Sequence, residues 1–422
     1  MEVFPGSQEI RNMKVLHVTT ELDSGAGQGA VRLHHDLVSA GVDSRVLSLS
    51  GMEDDQRITS LLKPGQSRKR RFRDIPSSLL HRIGIFDSAY YRAKKSLVPL
   101  FALSGTIVSS PFTRIDIRKH PLVESADVIH LHWVANFIDW PSFFPTIRKP
   151  IIWTMRDENP ALGFWHFRQD MPTVLPASVR CKDNWLRGIK AEIAQKCRSL
   201  SIVSLSSAED VFFSRSQAFM GRPHTVIPNS IDGSIFKPDD GDEVRKELGI
   251  RSDATVILFV AQHVDERRKG LADLFEALAR IGRKNLAVIC VGRGNPPSVP
   301  EGIRFFSLGH ISDSIRLSRV FSAATIFATP SQAETFGKTT TEALACGIPV
   351  VSYPNSGAMD IVGPEDGVLA DGFSPPALES AIRSALEKQF NAKAIRQRVL
   401  ARFSNETIVR SYLQLYMKDY TA

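Results

Sequence analysis

The 422-residue sequence predicts an α/β protein built from two doubly wound domains, and three observations carry that expectation. Apolar, β-branched runs of strand length recur without polar alternation, the pattern of strands buried on both faces of a parallel sheet. Stretches of helical periodicity separate several of these runs. The series also starts twice, at Met13 and again at Thr255, on either side of a Pro- and Asp-rich connection from Pro228 to Asp242.

From Met13, MKVLHVTTELDSGAGQGAVRLHHDLVSAGVDSRVLSLS reads as strand, Gly-rich turn, helix and strand. Val31, Leu33, Leu37 and Val38 give the helix an apolar face, and Gly41 closes it. Further strands fall at DVIHLHWV (Asp127–Val134), PIIWTM (Pro150–Met155) and SLSIVSLS (Ser199–Ser206). Between Lys63 and Pro121 the periodicity is lost. SRKRRFR (Ser67–Arg73) is followed by SSLLHRIGIFDSAYYRAKKSLVPLFALS, which reads as an insertion carrying one or two amphipathic helices. Such a segment either packs on its own domain or meets a membrane or acceptor.

In the second series TVILFVA (Thr255–Ala261) leads to a helix from Gly270 with Leu271, Leu274, Phe275 and Leu278 on one face. Strands at LAVICVG, IRFFSLG, ATIFATP and IPVVSY follow. In the closing segment FSNETIVRSYLQLYMKDY, Ser404 or Asn405 caps a final helix. The division is therefore a first domain over 13–228, a second over 229–403 and a last helix over 404–422. Two such domains leave a cleft between the C-terminal edges of their strands, where ligands bind in open α/β sheets.

Hydrophobic content of 43% and charged content of 23% argue against a disordered or fibrous chain. The net charge of +8 favours an anionic partner, and its sign alone does not choose among nucleic acid, membrane surface and phosphorylated substrate. Cys181, Cys197, Cys290 and Cys346 form no close pair and no metal-ligand spacing, which fits a reducing compartment. No basic-then-apolar leader and no long apolar run is seen, so a cytosolic protein is expected. Asp240-Gly241-Asp242, formally a metal-nucleotide D-x-D, reads as acidic linker. His130 and His132 alternate on one strand, but no third ligand lies near them in sequence. They read as core or cleft-edge residues and His17 as structural, with no metal expected.

The most informative stretch is AETFGKTTTEALACGIPVV, Ala333–Val351. Strands on both sides make it a loop followed by a helix, Lys338–Ala345, closed by Gly347. Glu334 then lies in the loop and Glu342 in the helix. A helix start carries unpaired N–H groups and partial positive charge, so Phe336, Gly337 and Lys338 can cradle a phosphate. Phosphate would repel carboxylates, so Glu334 and Glu342 are better used accepting hydrogen bonds from neutral hydroxyls. The plainer reading is an acidic helix start.

PSQAETFGKTTTEALACGIPVV resembles the signature of the retaining glycosyltransferases of family 4. SGAGQGAVRLHHDLVSAG, VIPNSIDGSIFKP and FVAQHVDERRKGLADLFEAL match further segments of that family in order, over most of Met13–Asp371. The resemblance implies the GT-B architecture: two Rossmann-like domains facing across a cleft, with the C-terminal helix crossing back to the first. It implies a nucleoside-diphosphate sugar donor, a saccharide or lipid-linked acceptor, and neither cofactor nor metal; a nucleic-acid partner would rest only on net charge and one basic run and is not expected.

By the same resemblance Glu342 would bind the ribose hydroxyls, Glu334 hydroxyls of the transferred sugar, and Phe336 and Gly337 would offer backbone N–H groups. Lys269, with Arg268 beside it, would neutralise the departing diphosphate. Gly25, Gly27 and Gly29 would approach diphosphate or acceptor. GRGN (Gly292–Asn295) and LGHI (Leu308–Ile311) end strands on the same edge of the second domain, so Gly292, His310 and Ile311 either wall the base or form plain turns. Where many relatives carry a histidine after PIIWTM, this chain has Arg156, and where many carry an arginine after TVILFVA it has Gln262 and His263. A sugar-nucleotide epimerase and a non-catalytic nucleotide-sugar-binding protein are the alternatives. Cytosolic placement, with contact at the inner membrane face left open, completes the expectation.

Overall fold

The computed structural model describes residues 12–52, 54–62 and 107–421. The basic run Ser67–Arg73 and the amphipathic helices expected near it lie outside these residues.

The chain divides into two compact units: 1–205, 209–227 and 409–422 form the first, and 206–208 with 228–408 form the second. The first unit's strands are β1 (Lys14–Glu21), β2 (Asp43–Ser50), β3 (Ile58–Ser60), β4 (Val128–Leu131), β5 (Ile151–Thr154), β6 (Leu200–Ser204) and β7 (His224–Val226). They pair in the order β3-β2-β1-β4-β5-β6-β7, every pair parallel. The strand interiors β4 and β5 are buried at every residue, as strands covered by helices on both faces must be. Leu16, Val18, Ile129, Leu131, Trp153 and Ile202 build one continuous core with Phe143, Phe144, Phe213 and Phe219.

The second unit holds β8 (Thr255–His263), β9 (Leu286–Arg293), β10 (Arg304–Ser307), β11 (Ile326–Thr329), β12 (Val350–Ser352) and β13 (Gly367–Leu369). Their order is β10-β9-β8-β11-β12-β13, again parallel throughout. The helix Leu271–Ile281 buries Leu271, Leu274, Phe275 and Leu278 against this sheet, the face its periodicity predicts. The three-residue strands β3, β7 and β13 were not expected. Each is a sheet edge, too short to show a periodic pattern.

The segment expected as a Gly-rich turn is instead the start of a helix, Gly25–Ser39. Ser24 caps it, its Oγ accepting from the Gly27 N–H at 3.1 Å, so the turn ends before all three glycines. The final helix, Asn405–Thr421, is capped by the Ser404 hydroxyl through the Thr407 N–H. In the first unit, its Tyr416 hydroxyl meets His130 Nδ1 at 2.7 Å and its Tyr412 hydroxyl meets Thr154 Oγ1 at 3.1 Å. All four cysteines are free thiols, Cys181 at the surface. Among the described residues no helix is long and apolar enough to cross a membrane.

A Cβ at position 27 would lie 1.8 Å from the Glu21 carbonyl oxygen, whereas one at position 25 would meet nothing within 4 Å. Gly27→Ala is expected to destabilise the protein by about 1–3 kcal/mol through backbone displacement. Gly25→Ala should stay within about 0.5 kcal/mol. Urea melts of both variants decide: equal midpoints would contradict the close approach.

Candidate functional site

β8 and β11 are neighbours where the strand order of the second unit reverses, so the loops leaving their C-terminal ends emerge side by side. The Gln332 N–H donates to the Arg268 carbonyl at 2.8 Å, and Arg268 Nη1 donates to the Ala333 carbonyl at 2.6 Å. Gly270, at φ 76°, lets the first loop press on the second; a Cβ there would sit 2.2 Å from the Pro330 oxygen. This contact delivers Lys269 Nζ to Glu334 Oε1 at 2.5 Å. Arg268 also reaches Glu266 Oε1, at 2.5 Å.

Glu334 is about a quarter exposed, at 23%. Burial pushes its carboxyl up, but the charges of Lys269 and Arg268, with hydrogen bonds from Lys269 and Ser331, outweigh that and hold it below the ordinary carboxylate value. It is an ionised partner of Lys269 rather than a proton donor.

Gly337 stands at φ 93° and starts the helix Lys338–Ala345 in a left-handed conformation that a side chain would strain. Phe336 cannot offer its ring to a ligand: the ring is buried edge-on against Phe403, leaving only its backbone. One turn into the helix, Glu342 is 7% exposed, and none of the described residues donates a hydrogen bond to its carboxylate. Its oxygens are not among the fully buried atoms that lack a partner, so the carboxylate keeps an open side where a hydroxyl can donate to it. Gly292 N–H binds the Gly309 carbonyl at 2.9 Å, joining the turns after β9 and β10. His310 is exposed on that second turn and Ile311 half-buried beside it. Slight burial pushes the His310 imidazole down, as do Arg293 and His263.

The first unit shows the same reversal between β1 and β4, whose register sets His17 opposite His130. His17 thereby becomes the neighbour that His130 and His132 lack in sequence, and donor atoms of all three lie within 4.8 Å of one another. His17 and His132 form a hydrogen-bond relay with Arg156. Arg156 Nη2 meets His132 Nδ1 at 3.0 Å, and His132 Nε2 meets His17 Nδ1 at 2.9 Å. Arginine can only donate, so His132 accepts at Nδ1 and donates from Nε2. His130 is held by Thr154 Oγ1 and the Tyr416 hydroxyl, both at 2.7 Å. Five of the six ring nitrogens are thus engaged, leaving His17 Nε2.

The remaining candidate glycines turn inward. A Cβ on Gly29 would lie 2.9 Å from Arg156 Nη1, so Gly29 makes room for the guanidinium as Gly27 makes room for Glu21. Position 25 alone is open.

Sequence reasoning missed the polar frame beyond Arg156. Asp157 is buried and accepts from Trp133 Nε1 at 2.6 Å, with His166 Nδ1 on the same oxygen. Lys190, fully buried, donates to the Asn159 carbonyl at 2.7 Å, Asn159 Oδ1 at 3.0 Å and the Gly163 carbonyl at 2.8 Å. Burial pushes it down to about 7, with Asp157 and Asp183 pulling the other way. A small pocket opens among Ser110, His132, Trp133, Arg156, Asp157 and Asn159. Each of these groups is unremarkable in sequence, and only the fold brings them together.

Residues 240–401 match the family described as Glycosyl transferases group 1. Over 195 residues the chain is 33% identical to D-inositol 3-phosphate glycosyltransferase 1 of Catenulispora acidiphila, covering 42% of this chain and 46% of that protein. Over 363 residues it is 26% identical to phosphatidyl-myo-inositol mannosyltransferase of Propionibacterium freudenreichii, covering 84% of each. Sucrose-phosphate synthase from Thermosynechococcus elongatus superimposes with a TM-score of 0.68 at 20% identity, covering 97% of this chain and 100% of that one. The chain spans about half the length of the first curated relatives it matches. Its fold is the GT-B fold. Lys269, Glu334 and Glu342 all lie within the matched residues 240–401.

Burial pushes the imidazoles of His17, His130 and His132 well below their ordinary value of 6.5, reinforced by Arg156 and, for His17 and His132, by neighbouring rings. The unfolded chain therefore binds more protons wherever pH falls below about 6.5, and stability declines with acidification there. The melting temperature at pH 5 is expected below that at pH 7.5, and a profile flat across this interval would contradict the neutral buried cluster.

Proposed function

We propose that the chain is a retaining, metal-independent glycosyltransferase that moves a sugar from a nucleoside-diphosphate sugar to a hydroxyl of a saccharide or lipid-linked acceptor, in polysaccharide, lipopolysaccharide or glycolipid synthesis. The observation that carries this reading is Glu342: a carboxylate at a buried helix position that accepts no hydrogen bond from the described residues, in a helix that begins four residues after Glu334. Ribose hydroxyls would supply the missing hydrogen bonds. Phe336, Gly337 and Lys338 would hold phosphate or sugar at the helix start, while Gly292, His310 and Ile311 wall the base.

Lys269 and Arg268 would stabilise the charge that builds on the leaving diphosphate, the role a metal has elsewhere. The bond from the anomeric carbon to phosphate oxygen breaks first, giving a short-lived oxocarbenium ion pair. The acceptor oxygen then bonds to the same face, and its proton passes to the leaving phosphate. Glu334, ionised and fixed by Lys269, would orient the sugar hydroxyls and stabilise the cationic carbon. No side-chain nucleophile is required.

In the first unit Arg156 is proposed as the cation that receives an anionic acceptor group or donor phosphate, with position 25, at the start of the helix that carries Gly29, left open to a ligand. Two relatives named for inositol phosphate or phosphatidylinositol substrates support a phosphate-bearing acceptor. The basic run Ser67–Arg73 is the proposed contact with the inner face of a membrane, and no nucleic-acid partner is proposed.

A donor screen by ligand-observed NMR tests the core of this reading. At least one nucleotide sugar should bind the wild-type protein, and Glu342→Ala should bind it at least ~10-fold more weakly, the loss of a charge-assisted hydrogen bond. Equal binding would overturn the ribose assignment. Lys269→Met should lower turnover about 100- to 1,000-fold with a smaller change in donor affinity, as for loss of one transition-state donor. Turnover close to wild type would remove Lys269 from the reaction.

A further inference from the structure

On the first helix, His34 and His35 both direct Nε2 at one oxygen, Oδ2 of Asp55, at 3.4 Å and 3.3 Å. Good N–H···O hydrogen bonds are shorter, about 2.9 Å. In a tetrahedral zinc site, with metal–ligand bonds of about 2.0–2.1 Å, neighbouring donor atoms stand about 3.3–3.4 Å apart. From this match we propose that His34, His35 and Asp55 form a surface zinc site, two imidazoles and a carboxylate, with solvent completing the coordination.

The supporting shell is already in place. His34 is fully buried, and its Nδ1 meets the buried Ser44 Oγ at 2.8 Å. With zinc on Nε2, Nδ1–H donates to that hydroxyl, the arrangement that fixes a metal-binding histidine. Asp55 is held from the other side: Oδ1 accepts the Arg57 N–H at 2.7 Å, leaving Oδ2 to face the rings. His35, with 47% of its side chain exposed, gives solvent and metal access. Burial depresses His34 to about 4, so its ring is neutral at physiological pH. The neighbouring His35 ring and, less strongly, Arg57 push it the same way, and Asp55 pulls against them.

The cluster of His17, His130 and His132 makes a poorer site, because five of its six ring nitrogens are engaged with one another, with hydroxyls and with the Arg156 cation. A metal at Asp55 would tie the first helix to the segment between β2 and β3, and so would stabilise the folded first unit.

The test titrates the full-length protein, stripped of metal, with zinc sulfate against a chromophoric chelator. The wild type should bind zinc and melt at a higher temperature with it. His35→Ala and Asp55→Asn should each lose that binding and that rise while keeping a wild-type far-UV spectrum. Ser44→Ala should weaken zinc about 10- to 100-fold, as outer-shell losses do. His17→Gln should bind zinc as the wild type does. Absence of zinc binding to the wild type, unchanged binding in His35→Ala and Asp55→Asn, or loss of binding in His17→Gln would overturn the assignment.

Discussion

In a parallel sheet whose strand order reverses, two strands from distant parts of the chain must lie side by side and release their following loops from one edge. The central polar contact of each unit descends from that constraint. Lys269 and Glu334 are 65 residues apart, and the adjacency of β8 and β11 closes the gap. His17 and His132 are separated by 115 residues, and the adjacency of β1 and β4 brings their rings into hydrogen-bond contact. The hydrophobic effect that buries the strands therefore also decides which polar groups meet at their ends.

The two units solve the resulting electrostatic problem in opposite ways. In the second, opposite charges are placed in contact, and Glu334 stays ionised despite partial burial because two cations face it. In the first, one guanidinium is surrounded by imidazoles that burial keeps neutral, so it is oriented by hydrogen bonds with no neighbouring histidine competing as a cation. A paired carboxylate suits the binding of neutral hydroxyls close to phosphate. A cation braced by neutral rings suits the binding of an anion. Both arrangements are consistent with the division of donor and acceptor work proposed above.

Much of the architecture was legible because buried parallel strands are apolar at every position, as β4 and β5 show. The loop placement of Glu334 and the helical placement of Glu342 were legible too, since Pro330, Gly337 and Gly347 punctuate that stretch. Periodicity does not reveal which strands become neighbours, so the meeting of His17 with His132 could be found only from the strand order. A charged residue in a helix is ordinarily solvated, so nothing in sequence marked Lys190 as buried beneath Asn159 and Gly163. Glycine spacing misled for a similar reason. A missing side chain can accommodate a ligand or the protein itself, and at positions 27 and 29 it accommodates the protein.

The contact between Gly29 and the Arg156 guanidinium makes those two positions a single steric unit. A longer residue at 29 is compatible only with a shorter or redirected one at 156, and the long arginine in turn requires the glycine. The dependence runs one way: a shorter residue at 156 would leave space beside Gly29, whereas a chain that acquired the arginine without the glycine would carry a clash beneath the first helix.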